Sequence, residues 1–190
     1  MVAAFEVYIS NGGSNGAPGT SVTTEGLGPP NIRFKRADNS TIDSVNVMTI
    51  PAAGTNYSRW KTIYPRCVTA PNTQVDNFRF HTDAGGFGTG IAVRVGLQFP
   101  NRNSGSTSGY EVADVEDEEF VAGHGGITSD ADAFSYTSGA PLSMTISEAG
   151  SIINATSETT NELILQLNTI NTASPGNLTD ETFTFLYDEI

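Results

Sequence analysis

Apolar residues recur at every second position in short runs along this chain, and the three-and-four spacing of an amphipathic helix is nearly absent. A period of two places alternate side chains on opposite faces of an extended segment, so the chain is constrained to strands with one face buried. The clearest run is 91–99, where Ile91, Val93, Val95, Leu97 and Phe99 alternate with Ala92, Arg94, Gly96 and Gln98. That is the pattern of a half-buried antiparallel strand.

The same alternation marks residues 5–9, 31–36, 44–50, 57–64, 75–81, 142–147 and 182–188, while 120–121 is long enough only for brief pairing. In 57–64 the residues Tyr57, Arg59, Lys61 and Ile63 share one face, with Ser58, Trp60, Thr62 and Tyr64 on the other. Residues 163–167 suit a strand. SETTNELILQL also permits a short helix with Glu158 and Glu162 in its first turns, and the Thr- and Asn-rich flanks favour the strand.

Nine or ten strands without strand–helix alternation predict an all-β fold with little helix. The expected architecture is an antiparallel two-sheet β-sandwich, jelly-roll or Ig-like. No repeat or linker divides the 190 residues, so residues 1–190 are read as one domain. Residues 10–30, with six glycines and three prolines, are read as a long loop or extended arm. Residues 100–119 are read as a polar, acidic surface loop.

Charge is unevenly placed. All nine Lys and Arg lie between Arg33 and Arg102, whereas 15 of the 21 Asp and Glu follow residue 102. The net charge of −12 argues against nucleic-acid binding, which needs a dense basic surface. Its asymmetry predicts oriented contact with other protein surfaces. MVAAFEVYIS has no basic n-region, and Glu6 interrupts its apolar run, so synthesis and solubility in a cytoplasm are expected. No run reaches the length of a membrane span. Cys67, the one cysteine, excludes an internal disulfide and reads as a buried thiol.

Candidate chemistry is sparse. Gly12-Gly13-Ser14-Asn15-Gly16 fits G-x-S-x-G, but Ala17-Pro18-Gly19-Thr20 cannot start the helix a nucleophile elbow requires. His124 sits in a glycine-rich loop, and His81 lies beside Asp83. No catalytic residue and no cofactor are assigned. Calcium takes six to eight oxygens, so the carboxylates Asp114, Glu116, Asp117 and Glu118, with Asp130 and Asp132, are candidate ligands. The EF-hand spacing is missing, and a solvated acidic face is the simpler reading. Trp60 and Tyr64 are candidates for a sugar-stacking platform, against core packing as the simpler reading.

Three segments carry a family resemblance: PAAGTNYSRWK (51–61), DNFRFHTDAGGFGTG (76–90) and the terminal TFTFLYDEI (182–190). Together they resemble structural proteins encoded by tailed bacteriophages and related viruses. The resemblance implies a non-enzymatic virion component made in the host cytoplasm. Its expected role is a capsid decoration (cement) protein, oligomeric on the particle, that contacts the major capsid protein or other virion proteins. The expected alternatives are a tail or head–tail connector component, or a carbohydrate- or receptor-binding sandwich. Neither nucleic acid nor membrane is an expected partner.

Overall fold

The computed structural model describes the chain except residues 1, 26–30, 43–44, 99–109, 114, 122, 124–125, 147–148 and 177. The architecture is all-β, with two antiparallel sheets packed as a sandwich. The larger sheet runs β2 (Ala17–Val22), β1 (Ala4–Ser14), β4 (Lys61–Thr69), β9 (Glu162–Ile170), β6 (Ile91–Gln98), β7 (Ala131–Asp132), and β3 (Thr55–Tyr57) also pairs with β9. The smaller sheet runs β10 (Phe183–Glu189), β5 (Val75–Thr82), β8 (Leu142–Ser143). The ambiguous segment around residue 163 is thus a strand, paired along its length with β6 from Ile91↔Thr169 to Gln98↔Glu162.

The core between the sheets follows the alternation. Ile63, Val93, Val95, Leu163, Leu165 and Leu167 of the larger sheet meet Phe78 and Phe80 of the smaller and Met144 just after β8. Phe183, Phe185 and Tyr187 of β10 close over Phe78 and Phe80 at ring separations of 5.4–5.7 Å. Strict alternation fails once in β5, where Val75 and Phe78 are both buried. Asn77 takes a left-handed φ of 50° there, and the β10 register shifts between Leu186 and Asp188. A bulge restores the inward aim of the phenylalanines, and Asn tolerates that conformation better than most residues.

Several expectations are corrected. Residues 10–22 are not a loop or arm: β1 runs to Ser14 and turns through Asn15-Gly16 into β2, with Ser14 opposite Ala17. Asn-Gly favours a two-residue hairpin turn, and Gly16 supplies a positive φ of 75° at its second position. Residues 26–30 of the expected arm lie outside the described residues. The strand expected over 57–64 is split, because β3 ends at Tyr57 and β4 begins at Lys61.

Residues 31–36 and the described part of 44–50 form no strand. Their backbone groups are taken by other partners: Arg33 N–H donates to the Glu25 carboxylate at 2.7 Å, and Lys35 C=O accepts from Arg59 N–H at 2.9 Å. Of the expected loop 100–119, residues 100–109 and 114 lie outside the described residues. The remainder is a surface loop only in part: Val115 and Glu116 are exposed, whereas Tyr110 and Ala113 are buried, as is Phe120 just beyond it.

That covering segment makes a third layer. Trp60, Ala113, Phe120, Ile127 and Ile164 form a second apolar cluster on the outer face of the larger sheet. The alternate residues of β6, read as the solvated face of a half-buried strand, and Gln166 of β9 anchor it instead. Gln98 Oε1 accepts from Glu111 N–H, and Gln166 Oε1 accepts from Phe120 N–H. Gln166 Nε2 and Trp60 Nε1 both donate to Glu118 C=O, at 2.7 and 2.8 Å. Gly96 is required by this approach, because a Cβ there would stand 2.6 Å from Ser129 O and 2.9 Å from Ile127 Cγ2.

Candidate functional site

Sheet size sets up the first candidate. The three-stranded sheet ends at β10, while the larger sheet continues, so part of its inner face lacks a facing strand. Val7, Ile9, Ile63 and Leu167 line the floor of the resulting cleft, with Phe183 and Phe185 of the edge strand β10 on one wall. Further lining comes from residues 31–35, 41–42, 47–50, 174–176 and 178–182, with Phe87 and Ile91, and the cleft volume is about 1520 Å³. Apolar side chains of its lining reach solvent: Ile42 is 50 % exposed and Val47 49 %, with Ile50 and Leu178 partly open. Contiguous exposed apolar surface beside a sheet edge is what a strand-accepting groove requires.

The second candidate is a polar centre at the end of that inner face. Lys61 and Glu25 are both 0 % exposed, and Lys61 Nζ lies 2.7 Å from Glu25 Oε1. Nζ also donates to Asn11 Oδ1 at 2.9 Å. Glu25 Oε2 accepts from Arg33 N–H at 2.7 Å, and the Arg33 Nε donates to Glu25 C=O at 2.9 Å. Beside it, the Lys35 Nζ donates to Asn39 Oδ1 at 2.6 Å and to Thr41 C=O. None of Glu25, Lys61 or Asn11 was singled out as a site residue from the sequence. The readable signal was Lys61 itself, a lysine sharing a strand face with Ile63.

The residues expected to carry chemistry go elsewhere. Trp60 and Tyr64 share the outer face of the larger sheet, but each is only 4 % exposed. Phe120 covers Trp60 edge-on at 6.1 Å, and Tyr8 stacks on Tyr64 at 5.7 Å. The two rings are core, so the stacking platform is ruled out by burial. Asp114 and His124 lie outside the described residues.

The other acidic candidates are spent on internal partners. Glu116 and Asp117 pair with Arg36, Glu118 accepts from Val115 N–H, and Asp130 pairs with Arg94, as does Glu119. Asp132 accepts from Phe134 N–H and caps the short 3-10 turn Ala133–Ser135. Among the described residues no group of three or more His, Cys, Asp or Glu converges as a metal site.

Ser14 ends the β1–β2 hairpin and precedes no helix. His81 Nδ1 is hydrogen bonded to Thr82 C=O at 2.9 Å, while Asp83 accepts from Gly85 N–H. Cys67 is buried in the inter-sheet core. Burial, and then the charge of Glu158, push its thiol above the ordinary value of 9.0. Burial, then Glu189, raise the Tyr187 hydroxyl in the same direction. Both groups are thereby held protonated and unreactive.

The charge asymmetry of the sequence is largely folded inward. Of the nine Lys and Arg, all but Arg102, which is outside the described residues, are engaged within the chain. Arg36, Arg79 and Arg94 pair with acids of the C-terminal half, Arg59 donates to Ala113 C=O, and Arg66 donates to Ser157. The two halves therefore do not form opposed basic and acidic faces. Among the described residues, no helix is long and apolar enough to cross a membrane. No family model, no curated protein and no solved structure matches the chain.

Proposed function

We propose that this chain is a non-enzymatic structural protein of a virion, a capsid decoration protein that works by protein–protein contact. The observation that carries the reading is the open inter-sheet cleft beside the edge strand β10, rimmed by exposed Ile42, Val47 and Ile50. Its occupant is an extended segment of the shell protein. Alternate apolar side chains of that segment would enter the cleft, and its backbone would add to the sheet edge. Asp180 and Glu181 also line the cleft, whereas Arg33 and Lys35 are held by Glu25 and Asn39, so a segment carrying Lys or Arg is favoured.

Quantitative mass spectrometry of purified particles from the source, against the major shell protein, tests the role. Hundreds of copies per particle are expected. A handful, in a multiple set by a vertex or tail symmetry, would move the chain to a tail or connector position. Absence from particles would overturn the virion reading.

A further inference from the structure

The register of β1 and β4 brings three reactive groups together. Ser10 lies opposite Thr62 in this antiparallel pair, and one further step sets Asn11 of β1 against Lys61 of β4, on the inner face with Ile9 and Ile63. Lys61 Nζ is 2.9 Å from Asn11 Oδ1 and 2.7 Å from Glu25 Oε1. Oδ1 is bonded to Cγ at about 1.23 Å, so the amine nitrogen lies within about 4.1 Å of the carboxamide carbon. A small torsion brings it to the roughly 3–3.5 Å of a near-attack arrangement.

Burial completes the site. Lys61 and Glu25 are fully buried and Asn11 is 7 % exposed, so water scarcely competes for the amine. Asn11 Nδ2 is buried and has no hydrogen-bond partner among the described residues. A buried amide nitrogen without a partner is costly to keep, and so is a buried pair of charges. One reaction removes both: aminolysis of the asparagine carboxamide by the lysine.

We propose that Lys61 and Asn11 join in an intramolecular isopeptide bond, with Glu25 as the catalytic residue. Glu25 Oε1 takes a proton from Lys61 Nζ, and the neutral amine attacks Asn11 Cγ, forming the Nζ–Cγ bond. Glu25 delivers that proton to Nδ2 and accepts a second from Nζ. The Cγ–Nδ2 bond then breaks, and ammonia leaves, carrying away as ammonium the proton that Lys61 brought as its charge. Glu25 returns to carboxylate. Nothing is oxidised or reduced, and no co-reactant is consumed. Arg33 N–H, bound to Glu25 Oε2, is a positioning group that leaves Oε1 aimed at the amine.

The bond would tie strands separated by 50 residues in sequence. A cross-link of that span restricts the unfolded chain as a disulfide does. With Cys67 as the one cysteine, the chain has no internal disulfide available, whereas this link forms in any redox compartment. It is independent of what occupies the cleft.

Intact-mass measurement of the folded full chain, after denaturation and reduction, tests the proposal. The expected mass is one ammonia below that of the sequence. In a tryptic map, Lys61 should resist cleavage, and peptide 1–33 should be joined to peptide 60–66. Cyclisation at Asn15-Gly16 also releases ammonia, but it leaves those peptides separate and Lys61 cleavable, and that pattern would overturn the proposal. The full sequence mass with cleavage at Lys61 would overturn it as well, leaving a plain ion pair. Glu25→Gln should give a folded chain at full mass; a variant that still loses ammonia into the joined peptide would remove Glu25 from the mechanism. Should that variant not fold, the wild-type map alone decides whether the bond exists.

Discussion

The larger sheet is covered on both faces, but by different means. On the outer face, the described residues of 110–130 form little regular structure, yet side-chain amides of Gln98 and Gln166 and the indole of Trp60 fasten their backbone to the strands. Phe120 and Ile127 are buried beneath them. On the inner face a true second sheet packs over part of the surface, ends at β10, and leaves a cleft rimmed by exposed Ile42, Val47 and Ile50. The contrast teaches that regular structure and closure are separate properties. A strandless segment seals one face through satisfied polar anchors, while a regular sheet leaves the other open because it runs out of strands.

Substitutions can break this contrast, beginning with the sealed face. Phe120→Ala removes a fully buried ring packed on Trp60 and Arg94. It is expected to cost about 3–5 kcal/mol in urea unfolding. A loss below 1 kcal/mol would mean that the outer layer is not part of the folded core. Gly96→Ala sets a methyl against Ser129 O and should destabilise by about 1–3 kcal/mol. An unchanged midpoint would show that residues 127–129 yield easily.

On the open face the expectation reverses. Val47→Ser, at a position 49 % exposed, should change stability by no more than about 0.5 kcal/mol while weakening attachment to particles. A large stability loss with normal attachment would make the cleft a piece of closed core.

Legibility in the sequence followed the same division. The inner face was readable because its residues obey the period of two: Val93, Val95, Leu163 and Leu165 announce both strand and burial. The outer face was misread because Gln98, Gln166 and Gly96 have the composition of a solvated face. Their role as anchors and as room for a neighbour depends on a segment far away in the chain.

The β1–β2 hairpin was missed although Asn15-Gly16 marked it, because small polar residues flank the turn where alternating apolar ones would have signalled strands. In the described residues 45–50 the alternation was present without a strand, since periodicity states what a segment could bury and not whether a partner edge exists. The polar centre was hidden for a related reason. Asn11, Glu25 and Lys61 meet through sheet register and chain return, and neither leaves a local motif. Strand order was likewise not readable, because β9 enters the middle of its sheet from late in the chain.

Hydrogen exchange on the chain alone and bound to particles tests the open-cleft account most directly. The account predicts slowed exchange on binding in β10 and residues 45–50, with residues 110–120 unchanged. Protection confined to residues 110–120, with β10 exchanging as in the free chain, would contradict it.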